Sequence, residues 1–304
     1  MRLAAVDVGT NAVRLLVADV NGAEVGAVLR DRIFTRLGKD VHRTRKLDPK
    51  NSAATLEAIE AFVRQARELG AERLRIAGTS ALRDAADGLA FVSLVSERTG
   101  IAFEILSGTE EARIGFIGAT SGLAAGSYLV CDIGGGSTEL TVGDERPKES
   151  VSLDVGSVRV TESCLPADPP TDDEVAEARS MIERAIDASG FDRFVSGSET
   201  FVGIGGTVQT VAALVLELDA YDFDAVNRSR SRTEEVAKIT QRLLSMRVEE
   251  IHKMKVIDAG RTDVIAAGSL ILLVVMERWA LSEVLTSGNG MLHGLVLDLA
   301  QQIA

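Results

Sequence analysis

Two short stretches of this chain repeat one another: Asp7-Val8-Gly9-Thr10-Asn11 and Asp132-Ile133-Gly134-Gly135-Gly136-Ser137. In each, an apolar run ends in Asp and passes into a turn that depends on glycine. Such an internal repeat constrains a fold more than any single glycine motif, because each copy implies a structural unit of its own. A chain of 304 residues, 46% hydrophobic and with 5 Pro, stands where single cores stop growing, so two compact lobes are expected.

The flanking patterns repeat as well. Residues 3–8 and 13–20 read as strands around the first turn, and 24–29 as a third strand after the hairpin signal Asn21-Gly22. Asn51-Ser52 opens a helical pattern with Leu56, Ile59, Phe62, Val63 and Ala66 on one face, closed near Gly70. A strand (74–78), a helix (88–98), a strand (101–106) and a helix (109–119) complete the order βββαβαβα. Beyond the Gly/Ala/Ser-rich residues 120–127 the order restarts with strands at 128–132, 138–142 and 150–155. Helices at 171–188 and 207–218 flank a strand at 201–204; helices near 233–246 and 261–279, a strand at 284–286 and a closing helix at 292–303 follow. The expected domains are 1–122 and 123–304, with the closing helix able to pack back on the first.

The net charge of −12 argues against a nucleic-acid-coating surface or an anionic membrane partner, since both need a basic face. A polyanionic substrate then needs local arginines or a metal. Cys131 and Cys164 form no CxxC and have no paired His, so they read as structural thiols of a reducing cytoplasm. Met1 to Asp7 meets a carboxylate too early for the apolar core of a signal peptide. The longest apolar run, 264–276, is too short to span a bilayer and reads as a buried helix. A cytoplasmic protein without a membrane partner is expected, and apolar surface on 264–276 and on the closing helix can serve a homodimer.

Glycine turns let successive backbone N–H groups converge on an anion without a Cβ in the way. Gly134, Gly135 and Gly136 with Ser137, and Thr10 with Asn11, are therefore candidate phosphate binders. An Asp ending each strand repels a bare phosphate, so Asp7 and Asp132 are assigned to a divalent metal, Mg²⁺ or Mn²⁺. A third turn, Gly203-Ile204-Gly205-Gly206-Thr207, precedes a helix whose N-terminus suits an anion, adding Gly205, Gly206 and Thr207. Glu139 lies two residues past Ser137 on the same strand face and joins the metal side. Arg14 and Arg83 each follow a candidate phosphate-binding turn by a few residues and can offer forked hydrogen bonds to phosphate oxygens. Glu111, early on its helix, can face a cleft and polarise a water, whereas Glu110 reads as a first-turn carboxylate favoured by the helix dipole.

These residues resemble the superfamily of actin-like ATPases, sugar kinases and heat-shock chaperones, and within it the Ppx/GppA phosphatases. The motifs that carry the resemblance run along nearly the whole chain: Asp7 to Leu15, Thr35 to Gly38, Gly78 to Ala85, Leu106 to Arg113, Asp132 to Glu139, Gly156 to Arg159, Gly203 to Thr207 and Arg261 to Ile265. The resemblance implies two duplicated ribonuclease H-like α/β domains with an active site in the cleft between them. It places the catalytic carboxylate immediately before Ala-Arg, which is Glu111, and implies a bacterial enzyme that hydrolyses terminal phosphoanhydrides. The implied substrates are inorganic polyphosphate or, alternatively, guanosine pentaphosphate; a kinase, a chaperone-like ATPase and a nucleotide sensor are the other classes. Two departures stand out: Thr10 replaces a usual Ser and keeps its hydroxyl, and Leu292, in Gly290-Met291-Leu292-His293-Gly294, stands where the family commonly has Arg.

Overall fold

The computed structural model describes residues 1–196 and 199–303. They divide into two compact units, Met1–Leu123 with Asn289–Ala304, and Ala124–Gly288. The closing segment thus rejoins the first unit.

The first unit is built on β1 (Arg2–Val8), β2 (Ala12–Asn21), β3 (Glu24–Phe34), β4 (Arg73–Gly78) and β5 (Phe103–Ile105), in the spatial order β3-β2-β1-β4-β5. β1 pairs antiparallel with β2 and parallel with β4. Because side chains alternate along a strand, β1 serves two cores. Ala4, Val6 and Val8 pack with Phe62 of helix Pro49–Glu68 and Phe91 of helix Gly88–Thr99. Leu3 and Ala5 pack with Ile114 of helix Gly108–Thr120 and with Leu295 and Val296 of helix Met291–Ile303. Helix Pro49–Glu68 begins two residues before the apolar pattern does, because Asp48 caps it from the Asn51 amide and Pro49 fits the first turn.

Glycines bring the last two of those helices into backbone contact. A Cβ on Gly118 would lie 2.0 Å from the Gly290 carbonyl oxygen, and one on Gly294 1.9 Å from that of Ile114. Asp298 then accepts from Arg113 and Arg75 at 2.6 Å each, and Arg113 also holds Glu110 at 2.7 Å. The helix bearing Glu111 is therefore locked to the closing helix by close packing and by a charge network. Leu292 packs against the apolar cluster on this face.

The second unit repeats the plan with β6 (Tyr128–Ile133), β7 (Thr138–Gly143), β8 (Pro147–Leu153), β9 (Thr200–Ile204), β10 (Arg230–Arg232) and β11 (Glu283–Thr286), ordered β10-β11-β9-β6-β7-β8. Read from β8 to β11, this is the order of the first sheet, with β10 added at one edge. Helix Ile265–Arg278 is buried along almost its whole length within this unit's core. Its apolar residues are consumed by that core, which corrects the expectation that they offer a surface for a homodimer. No helix among the described residues is long and apolar enough to cross a membrane. The sequence pattern missed helix Ser157–Cys164: it is short and rich in β-branched Val158, Val160 and Thr161, which favour strands.

His293 is buried at 4% exposure in the closing helix. Burial first, and then the charge of Arg30, push its pKa down to about 4 from an ordinary 6.5. Between those values the unfolded chain binds a proton that the folded chain refuses, so the contribution is complete above the ordinary value and lost as pH falls toward about 4. Its size is roughly 3 kcal/mol at most. Replacing His293 with Gln is expected to flatten this part of the acid decline, read as the urea midpoint between pH 7 and pH 4.5 relative to the parent protein.

Candidate functional site

The parallel strands of the first unit end in register, with Val8 beside Gly78 and Gly78 beside Ile105. Immediately beyond those ends come the turn at Gly9, the short helix Ser80–Asp84 with Arg83, and helix Gly108–Thr120 with Glu111. In the second unit Asp132 lies beside Ile204 and Gly203 beside Thr286, and the two glycine turns follow at that same edge. Ligands of open α/β sheets bind outside the carboxyl ends of parallel strands, and every predicted site residue lies at or within a few residues of such an end.

Both hairpins close with the same bond: the Gly9 amide donates to the Ala12 carbonyl, and the Gly134 amide to the Ser137 carbonyl, each at 3.0 Å. In the second, the carbonyls of Gly134 and Gly135 accept from the amides of Ser157 and Val158 at 3.0 and 2.8 Å, and Arg159 Nε donates to the Gly136 carbonyl at 2.8 Å. A planar trans peptide sets N–H opposite C=O, so the Gly135 and Gly136 amides point away from that helix. Gly156 permits the contact, since a Cβ there would lie 2.4 Å from the Gly135 carbonyl carbon. In the first hairpin the Thr10 carbonyl accepts from Gly38 at 2.8 Å and that of Asn11 from Arg36 at 3.0 Å. The amide of Asn11 is turned outward by the same geometry.

The register fixes what stands beside each Asp. Asp132 is directly opposite Glu139, and Glu139 is opposite Ser152, whose hydroxyl donates to Glu139 Oε1 at 2.6 Å. Asp132 and Glu139 are buried, at 9% and 3% exposure. Their charges, after burial itself, push the thiol of neighbouring Cys131 well above its ordinary range. Like charges directly opposite destabilise a sheet, and buried ones more so. A divalent cation bound between them would relieve that repulsion.

Among the described residues no three His, Cys, Asp or Glu side chains gather as a metal-holding group. Two carboxylates nonetheless suit Mg²⁺, which keeps several waters and is commonly held by one or two carboxylates plus substrate phosphate oxygens. Asp7 is differently placed. It is fully buried, sits opposite Arg14 and is ion-paired with that guanidinium, while its Oδ1 accepts no hydrogen bond.

The third turn meets Asp132. Gly205, at φ +87°, begins helix Gly205–Val215, and a Cβ on it would lie 2.8 Å from Asp132 Oδ1. The positive end of that helix thus lies against the carboxylate. A Cβ on Gly206 would fall 1.7 Å from Arg261 Nη1, so a guanidinium covers this turn. Thr207 is buried in the same first turn. Arg159 and Arg261 were not predicted as site residues. Their only signal lay in the segments Gly156 to Arg159 and Arg261 to Ile265, since an isolated Arg carries no spacing.

Glu111 is buried at 8% exposure in the first turn of a helix capped by Ser107, whose hydroxyl accepts from the Glu110 amide. Arg83 Nη1 donates to Glu111 Oε2 at 2.6 Å and to the Leu106 carbonyl at 2.9 Å. The structure therefore ties Arg83 to the carboxylate, a partnership that sequence spacing did not reveal.

The model of the Ppx/GppA phosphatase family matches residues 16–303. Exopolyphosphatase 2 of Mycobacterium tuberculosis is 34% identical over 314 aligned positions, covering 98% of each chain. Among solved structures, an exopolyphosphatase-like protein superposes with a TM-score of 0.94 at 33% identity, covering 100% of both chains. The Ppx/GppA family member of Aquifex aeolicus does so at 0.84 and 27% identity, covering 100% of this chain and 98% of that one.

The crowding at Gly205 makes a direct expectation. Gly205→Ala should cost roughly 1–3 kcal/mol through its left-handed backbone, with a further penalty for displacing the Asp132 carboxylate; urea unfolding checks it.

Proposed function

The chain belongs to the Ppx/GppA phosphatase family, and we propose that it releases the terminal orthophosphate of inorganic polyphosphate, with Mg²⁺ held at Asp132 and Glu139. The observation that carries this reading is the buried, in-register pair of carboxylates beside outward-facing amides of a glycine turn. The relative named exopolyphosphatase, matched along nearly all of both chains, supports polyphosphate as the substrate.

Bound Mg²⁺ would neutralise charge on the phosphate oxygens. The amides of Gly135 and Gly136, the Ser137 hydroxyl, the helix start at Gly205 to Thr207 and the Asn11 amide would bind and orient the phosphates. Glu111 would accept a proton from water as the water oxygen bonds to the terminal phosphorus, and the bond from that phosphorus to the bridging oxygen breaks. The products are orthophosphate and a chain one unit shorter. Arg83 would hold Glu111 Oε2 and so fix the orientation of the carboxylate that aims the water. Phosphoryl transfer asks little more of a protein than positioning and charge neutralisation.

Glu111→Gln is expected to lower turnover by roughly 10²–10⁴-fold while the protein stays folded. The measurement is orthophosphate release from polyphosphate of defined length in Mg²⁺; full turnover in a folded variant would contradict the assignment. Guanosine pentaphosphate and ATP, assayed in parallel, should release phosphate more slowly.

A further inference from the structure

The turn after Asp132 carries three consecutive glycine carbonyls, and one short helix takes up all of them. The amide of Ser157 donates to the Gly134 carbonyl at 3.0 Å, and the amides of Val158 and Arg159 both donate to that of Gly135, at 2.8 and 3.1 Å. These are the first three residues of helix Ser157–Cys164, and the fourth, Val160, donates to the Gly156 carbonyl at 2.8 Å. A helix start has about four amides to give, so none remains for Gly136. A side chain serves there instead, with Arg159 Nε donating to the Gly136 carbonyl at 2.8 Å.

We infer that Arg159 is a positioning residue of the phosphate site: its guanidinium holds the peptide between Gly136 and Ser137 so that the Ser137 amide joins those of Gly135 and Gly136 in facing the substrate phosphates. Only the identity of the anion is taken from the function proposed above. A planar trans peptide sets N–H opposite C=O, so a carbonyl drawn toward Arg159 turns the Ser137 amide away from it, as the helix does for the two preceding peptides. Those two peptides continue the line of the helix dipole, with its positive end toward the anion. Arg159 extends the same arrangement by one peptide.

The donor's charge matters as well as its direction. A hydrogen bond from a guanidinium is stronger than one from a neutral amide and polarises the peptide that accepts it, which makes the N–H at the other side a better donor. Arg159 thereby acts on the phosphate through one peptide without touching it. Its side chain is 14% exposed, and Asp154, 3.8 Å from Nη2 and itself 86% exposed, competes weakly for it. Gly156 lets helix and turn approach closely enough for Nε to reach, since a Cβ there would also lie 2.6 Å from the Gly136 carbonyl carbon.

Binding of inorganic tripolyphosphate in Mg²⁺, measured by titration calorimetry on the full-length Glu111→Gln protein, provides the test without turnover. Adding Arg159→Gln is expected to weaken binding roughly 10–100-fold. Adding Arg159→Lys, whose ammonium can still donate to the Gly136 carbonyl, should weaken it by less than about threefold. With Glu111 restored, the loss in Arg159→Gln should fall on KM for tripolyphosphate more than on kcat. A role in stability alone would lower the thermal midpoint and leave the affinity of the folded protein at the parent value; that result would overturn the inference, as would Arg159→Lys binding as weakly as Arg159→Gln. A parent chain that binds tripolyphosphate but releases no orthophosphate would overturn the proposed reaction instead, with the Arg159 comparison still deciding the inference. Absence of binding by the parent would overturn both.

Discussion

Two carboxylates face one another across β6 and β7 because the register allows nothing else. The Gly134 turn fixes which residues pair, so Asp132 and Glu139 must share one face of the sheet and one buried pocket of charge. Left alone, that arrangement opposes folding. The surroundings answer it with a serine hydroxyl on Glu139 and the positive start of a helix on Asp132. In the proposed function a divalent cation would complete the answer, and the same cation would suit phosphate oxygens bound at the adjacent amides. On that reading a structural cost in the sheet and an affinity for phosphate would have one physical source.

The rest of each unit serves to hold such turns at a strand end. In the second unit, Gly156 and the start of helix Ser157–Cys164 take up the carbonyls of the turn, which directs its amides the other way. In the first, the segment from Arg36 to Gly38 does the same for Thr10 and Asn11. Glu111 is fixed from two sides, by Arg83 on its carboxylate and by the glycine-mediated seating of its helix against the closing helix. Asp298 extends that seating through Arg75 and Arg113.

Much of this is written in local pattern. Alternating apolar strands, glycine turns after Asp, and the start of the Glu111 helix depend on neighbours in sequence, so the duplicated α/β plan and the residues of the three turns are legible. What depends on register or tertiary contact is not. The pairing of Arg14 with Asp7 and of Arg83 with Glu111 requires knowing which residues stand opposite or adjacent in space, whereas in sequence both arginines read only as candidate phosphate binders. Helix Ser157–Cys164, with its β-branched residues, carries no helical signature at all, although it supports the main turn. The buried fate of helix Ile265–Arg278 likewise depends on how many elements surround it, which apolarity alone does not count.

In the proposed function this fold directs a water molecule at the terminal phosphorus of a phosphate chain. Hydrolysis of polyphosphate in ¹⁸O-labelled water tests it most directly, with the products analysed by mass. The account predicts one labelled oxygen in every orthophosphate released and none at the new end of the shortened chain. Label in the shortened chain, with unlabelled orthophosphate, would mean attack on the next phosphorus and would contradict it.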